Sequence, residues 1–279
     1  MHLARLLTTL ALSAGLAAAP AHADQGVSLA SGYTDFTSWT LYGSATAQND
    51  TPGNGFTYSN LILTQSGTGG QGGAGFAPTA LALDFNQAFS FDFHFFIPVS
   101  QDLRGDGLTF TLTSAAGLGG AGSGLGYEGM SSASVAFAID TFHFDGEPVS
   151  PSLQILSGGS VTPLAYTETG LGDAIRDPDF QWTAALHYTP SGQDDNAGLL
   201  TGTIDHLNLG SFAVSAQVSF ADLGLVGVPV FYGFTAANGA ATDGHFVTSA
   251  VAVPEPGSWA MILGGLGWLA LLARRRTGR

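Results

Sequence analysis

SVAFAIDTFHFDGEP, residues 134–148, begins as a buried strand, Val135 to Ile139, and sets a carboxylate, Asp140, directly at its end. Short apolar runs bounded by turn residues read as core strands. An ionised Asp beside apolar core is costly unless it is paired, hydrogen-bonded or bound to a metal. The partner of Asp140 therefore bears on both the fold and the chemistry.

Other segments around it have strand character. Phe89 to Phe95, FSFDFHF, alternates strictly, with its phenylalanines on one face and Ser90, Asp92 and His94 on the other. That is the pattern of a half-buried antiparallel strand, with His94 as an ordinary polar-face residue. Leu61 to Thr64 precedes SGTGGQGGAG, residues 66–75, which reads as a loop. No βαβ unit surrounds it, so it is not a phosphate cradle. Alternating Phe, Val and Leu segments, separated by Gly, Ser, Asn and Pro, predict one all-β sandwich for the body of this 279-residue chain.

The charge balance narrows the partners. Lysine is absent, and of the seven arginines only Arg104 and Arg176 lie between residues 24 and 252, against nearly all of the 21 acidic residues. Such a body repels a phosphate backbone, which excludes nucleic acid as a partner. Cysteine is absent too, so there is no disulfide, thiolate metal site or thiol nucleophile.

Both ends read as addresses. Residues 1–23 carry a short basic start with Arg5, an apolar stretch, and the small-x-small pattern Ala21-His22-Ala23, a secretory signal peptide cleaved after Ala23. At the other end the apolar run Trp259–Ala273 stops at Arg274, Arg275 and Arg276. As a helix it spans roughly 22 Å, short of the roughly 30 Å hydrocarbon core, and the arginines hold that end cytoplasmic. With Val253-Pro254-Glu255-Pro256 in front, residues 253–279 resemble the bacterial PEP-CTERM sorting signal. The resemblance implies transient insertion in the inner membrane through a C-terminal hydrophobic helix, processing near Pro254, Glu255 and Pro256 by an exosortase-type protease, and an extracellular or cell-surface destination in a Gram-negative bacterium that makes exopolysaccharide.

The body, residues 24–252, resembles the bacterial form of the legume-type (L-type) lectin domain. The residues that carry this are Gly105-Asp106-Gly107-Leu108-Thr109-Phe110, the glycine-rich Leu118 to Tyr127, the 134–148 stretch, and Phe231 to Gly239 with Asp243-Gly244-His245 behind it. Ser38 to Ala45 and Gln181 to Ala184 fit as well. The resemblance implies a two-sheet antiparallel jelly-roll sandwich that binds a glycan. It makes Asp106 the acceptor for sugar hydroxyls, and two carboxylate oxygens suit adjacent hydroxyls because charge-assisted bonds are strong. Gly122 and Gly124 would bring backbone N–H groups close to the sugar, and the late loop from Ala237 and Asn238 to Thr242 would form a further wall.

The metal loop departs from the family pattern. The family's Glu position is Ala138, its Asn position is Phe144, and its His position falls near Ser152, so the transition-metal half is lost. A calcium set of Asp140, the Phe142 carbonyl, Asp145 and Glu147 stays open, since calcium takes six to eight oxygens. Asp140 is thus expected to anchor the binding loops, either through calcium or through hydrogen bonds to backbone N–H groups.

Catalysis is not expected. Laminarinase-like enzymes of this shape need a Glu-x-Asp-x-x-Glu strand with paired carboxyls. Here those positions are Ala138, Asp140 and His143. Two readings follow: a secreted carbohydrate-binding protein, or a non-catalytic biofilm-matrix protein that keeps the fold and has lost sugar binding.

Overall fold

Phe89, Phe91, Phe93 and Phe95 are all buried to within 1% of complete, and the strand that carries them lies inside the larger of two sheets. A computed structural model of the chain describes residues 25–53, 55–100, 103–176 and 182–252. The helices expected for the leader and for the C-terminal segment lie outside the described residues, as do Ala23, Pro254, Glu255, Pro256, Arg274, Arg275 and Arg276. Among the described residues no helix is long and apolar enough to cross a membrane.

The strands are β1 (Val27–Ser28), β2 (Thr40–Gly43), β3 (Thr46–Asp50), β4 (Phe56–Thr64), β5 (Gly72–Phe76), β6 (Phe89–Phe96), β7 (Gly107–Thr113) and β8 (Ser134–Asp140). They continue with β9 (Ser152–Ser157), β10 (Ser160–Glu168), β11 (Trp182–Pro190), β12 (Ala197–His206), β13 (Gly210–Ser219), β14 (Phe231–Ala237) and β15 (His245–Ala252). An eight-stranded sheet runs β13-β12-β11-β6-β15-β4-β3, with β1 added parallel to β6; a seven-stranded sheet runs β10-β9-β8-β7-β14-β5-β2. Apart from β1 every pairing is antiparallel. This is the expected two-sheet sandwich.

Aromatic rings join the layers. Phe91 and Phe93 of β6 meet Phe110 of β7 and Phe234 of β14 with ring centroids 4.8–5.7 Å apart. Contacts of this kind add roughly 0.5–1.5 kcal/mol each beyond the area buried.

One sequence expectation needs correction. Residues 66–71 of the glycine-rich stretch form a loop, but Gly72–Phe76 is strand β5, paired with both β14 and β2. The glycines are there because the sheets approach closely. A Cβ on Gly73 would lie 2.0 Å from the Leu63 carbonyl oxygen, and one on Gly75 would lie 2.8 Å from Leu61 Cδ1. Strand propensity argues against such a segment, and packing overrides it.

The outer face of the seven-stranded sheet carries a second, smaller core. Ala136, Ala138 and Leu156 are covered by Leu125 and Tyr127 from the loop between β7 and β8. Thr235 Oγ1 donates to the Leu125 carbonyl at 2.8 Å and so holds that loop down.

Candidate functional site

β7 starts at Gly107, which leaves Asp106 in the turn at its N-terminal end. Its N–H donates to the Ala237 carbonyl (3.1 Å), and its own carbonyl accepts from Thr141 N–H (2.8 Å). The turn is thereby tied to the end of β14 on one side and to the segment after β8 on the other. The Gly105–Asp106 peptide bond is cis.

The Asp106 side chain is 5% exposed, and its Oδ2 has no hydrogen-bond partner among the described residues. Two glycines flank that oxygen. A Cβ on Gly122 would lie 3.8 Å from Oδ2, and one on Gly239 would lie 3.1 Å from it and 3.7 Å from Gly122 Cα. Burial, with Glu147 and Asp243 as neighbouring negative charges, raises the Asp106 carboxyl to about 6. A buried acceptor without a donor is the complement of a hydroxyl-bearing ligand.

The other expected contacts divide. Gly122 reaches Asp106, whereas the Gly124 N–H is turned inward, donating to the Ala121 carbonyl at 3.2 Å within the one-turn 3-10 segment Gly122–Gly124. Ala237 contributes backbone only, through its carbonyl. Asn238 is fully buried and staples two loops together. Its Nδ2 donates to the carbonyls of Thr68 (2.8 Å) and Asp243 (3.1 Å), and its Oδ1 accepts from Gln71 N–H (2.9 Å). Gly239, next in sequence, is the residue of this loop that reaches Asp106. Its place in the expected wall from Ala237 to Thr242 marked it, though not as the contact to Asp106.

Asp140 is held by protein donors. Oδ1 accepts from Phe142 N–H (3.0 Å) and Ser150 Oγ (3.2 Å), and Oδ2 accepts from Gln154 Nε2 (2.7 Å). Burial and the charge of Glu147 raise its carboxyl to about 8 against the opposing pull of those bonds. Gln154 stands directly opposite Ala138 across β8 and β9 and was not foreseen. A lone polar residue inside Ser152–Ser157, SLQILS, was its only signal.

The four calcium candidates do not form a ligand set. The Phe142 carbonyl accepts from Ser150 Oγ (2.8 Å), Glu147 Oε2 accepts from Phe144 N–H (2.9 Å), and Asp145 is solvent-exposed. Among the described residues no group of three or more His, Asp or Glu side chains is placed to hold a metal ion. The residues present therefore do not fit calcium, which needs six or more converging oxygens.

Comparison with solved structures follows this geometry. Lectin I-B4 from Griffonia simplicifolia, in its metal-free form, is 20% identical and superposes with a TM-score of 0.59 over 77% of this chain and 93% of its own. The lectin from Bauhinia forficata, in complex with GalNAc, is 19% identical, with a TM-score of 0.59 over 80% and 96%. The fold is that of the legume lectins. Arcelin-5, a lectin-like defense protein from Phaseolus vulgaris, shares this legume-lectin fold at 18% identity, with a TM-score of 0.58 over 79% and 95%. Residues 252–276 match the PEP-CTERM protein-sorting motif. A sequence search of curated proteins finds no match.

Proposed function

We propose that this chain is an exported, non-enzymatic carbohydrate-binding protein, with Asp106 as the acceptor that anchors a sugar of an extracellular polysaccharide or cell-surface glycan. The observation that carries this is the buried Oδ2 of Asp106 between Gly122 and Gly239, without a hydrogen-bond partner among the described residues. The legume-lectin fold and the sorting motif support it. In this reading residues 1–23 are the leader, 24–252 the binding domain, and 253–279 the sorting segment. An exosortase-type protease processes that segment after transient membrane insertion, and the product is released to the cell surface or beyond in a Gram-negative bacterium.

The mechanism is recognition without reaction. A sugar hydroxyl donates to Asp106 Oδ2, and a second hydroxyl of the same ring can share the carboxylate. Gly122 and Gly239 carry no side chain that would stand between a ring and the backbone. Against catalysis stands Ala138, fully buried beneath Leu125 and Tyr127, where a glycosidase of this shape would expose a carboxylate. Binding of the chain to a glycan array, lost on Asp106→Ala while the circular-dichroism spectrum is unchanged, is the expected result. No binding to any glycan by folded protein overturns the reading.

A second reading is a matrix protein that has lost sugar binding. The fully engaged amide of Asn238 favours it, because that side chain offers no free N–H to a ligand.

A further inference from the structure

Arg104 and Arg176 are the only Lys or Arg residues between positions 24 and 252, and both lie beside the Asp106 turn. Arg104 Nε donates to the Thr141 carbonyl (3.1 Å), Nη2 to the Ser150 carbonyl (3.3 Å), and Nη1 to Asp173 Oδ1 (2.8 Å). Arg176 Nη2 donates to the same Asp173 oxygen (2.8 Å), and its Nη1 lies 3.5 Å from Asp243 Oδ1. Asp243, fully buried, accepts from the N–H groups of Gly105 and Ser100 at 3.3 Å each. Charge thus alternates Arg104, Asp173, Arg176, Asp243 and returns to the backbone of the Asp106 turn.

We propose that this arginine–aspartate relay positions the Asp106 turn against the segment after β8, the work that a bound metal ion would otherwise do there. A cation that gathers carbonyl and carboxylate oxygens from separate loops is what calcium supplies in a metal site. A guanidinium gathers the same acceptors with a rigid, permanently charged fork. Two features agree. The carbonyls of Thr141, inside the expected calcium loop, and Ser150, just after it, are taken by Arg104. Asp140 and the Phe142 carbonyl are taken by Ser150 and Gln154. Arg176 is 7% exposed, and removing it would leave Asp243 buried without a counter-charge. The relay holds Asp106 whether or not a sugar is bound to it.

The test is site-resolved hydrogen exchange on the full chain, in calcium and then in chelator. The amides of Asp106 and Thr141, both hydrogen-bonded across the turn, are expected to exchange at the same rate in both conditions. Arg104→Ala is expected to speed exchange at those two amides about tenfold, leaving β12 unchanged, as a local opening does. Guanidinium ion added back at sub-denaturing concentration is expected to slow it again. Should Arg104→Ala fail to fold, Arg104→Lys keeps the charge without the fork and is expected to show the same local loss. Faster exchange in chelator, calcium retained stoichiometrically by the wild type, or no effect of either substitution would each overturn the relay. Retention on polysaccharide, measured in parallel, decides the sugar reading separately.

Discussion

Gln154 donates its side-chain amide to Asp140 Oδ2 at 2.7 Å from the neighbouring strand, and both residues are at most 5% exposed. The opposing residue on β8 is Ala138, which has no polar atom to compete for that amide. The buried Oδ2 is thereby paired within two adjacent strands, while Oδ1 is held by Phe142 and Ser150 of the connecting segment.

Gln154→Leu removes this donor and leaves Asp140 Oδ2 buried and unpaired. The expected cost is about 1–3 kcal/mol at pH 8. Urea denaturation at that pH measures it. Repeated at pH 5, where Asp140 is protonated, the loss should shrink.

The buried carboxyls of Asp140 and Asp106, with Asp243 raised by burial in the same direction, also set the direction of the pH dependence. Folding raises Asp140 to about 8 and Asp106 to about 6, from 3.8. The folded state therefore binds protons more tightly than the unfolded one. The stabilisation this gives is complete below 3.8 and is lost as pH rises through about 6 and then about 8. Asp173 has its carboxyl lowered by Arg104 and Arg176, so its contribution is lost only on further acidification. Buried His245, lowered to about 3, works the other way as pH falls below its ordinary value. The raised carboxyls of Asp140 and Asp106 together outweigh it, so thermal unfolding should give a higher Tm at pH 5 than at pH 8.5. Asp140→Asn should flatten the curve, since the Gln154 amide can flip to accept from the new Nδ2.

Binding should follow the opposite trend. The ionised Asp106 accepts from sugar hydroxyls, and with its carboxyl at about 6 the affinity at pH 5 should fall roughly tenfold below that at pH 8. Titration of a bound glycan at several pH values checks this. A flat profile would remove Asp106 from the contact.

Asp106→Asn should separate stability from binding. It replaces a desolvated charge that has one unpartnered oxygen by a neutral group, so Tm at pH 8 should rise while glycan affinity falls. Functional sites commonly carry such a trade-off.

Gly73→Ala tests the close approach of the two sheets. Its methyl would sit 2.0 Å from the Leu63 carbonyl oxygen, so β5 must shift. Overpacking of this kind costs about 1–3 kcal/mol, read as a lower urea midpoint with an unchanged m-value.

The residues differ in how much of this they announced. Phe89 to Phe95 showed its buried face by alternation alone, because a pleated strand turns every second side chain to the same side. Asp106 is marked by the motif around it, and among the described residues its Oδ2 has no partner. Gly72 to Gly75 reads as loop in the sequence, because nothing local reveals that Leu61 and Leu63 of the other sheet press against it. Asn238 and Gly239 stand side by side in the sequence, yet one ties loops together and the other faces Asp106.

By itself the sequence determined the all-β class, the acidic surface, the sorting motif at its C-terminal end and the absence of thiol chemistry. Each of these follows from composition or from short-range pattern. Only the tertiary structure decided what Asp140 holds, and which cations stand beside the Asp106 turn. Gln154 lies 14 residues from Asp140, and Arg104 lies 69 from Asp173. Hydrogen bonds and ion pairs form between atoms a few ångströms apart in space, and chain separation carries no record of that distance until the sheets have paired.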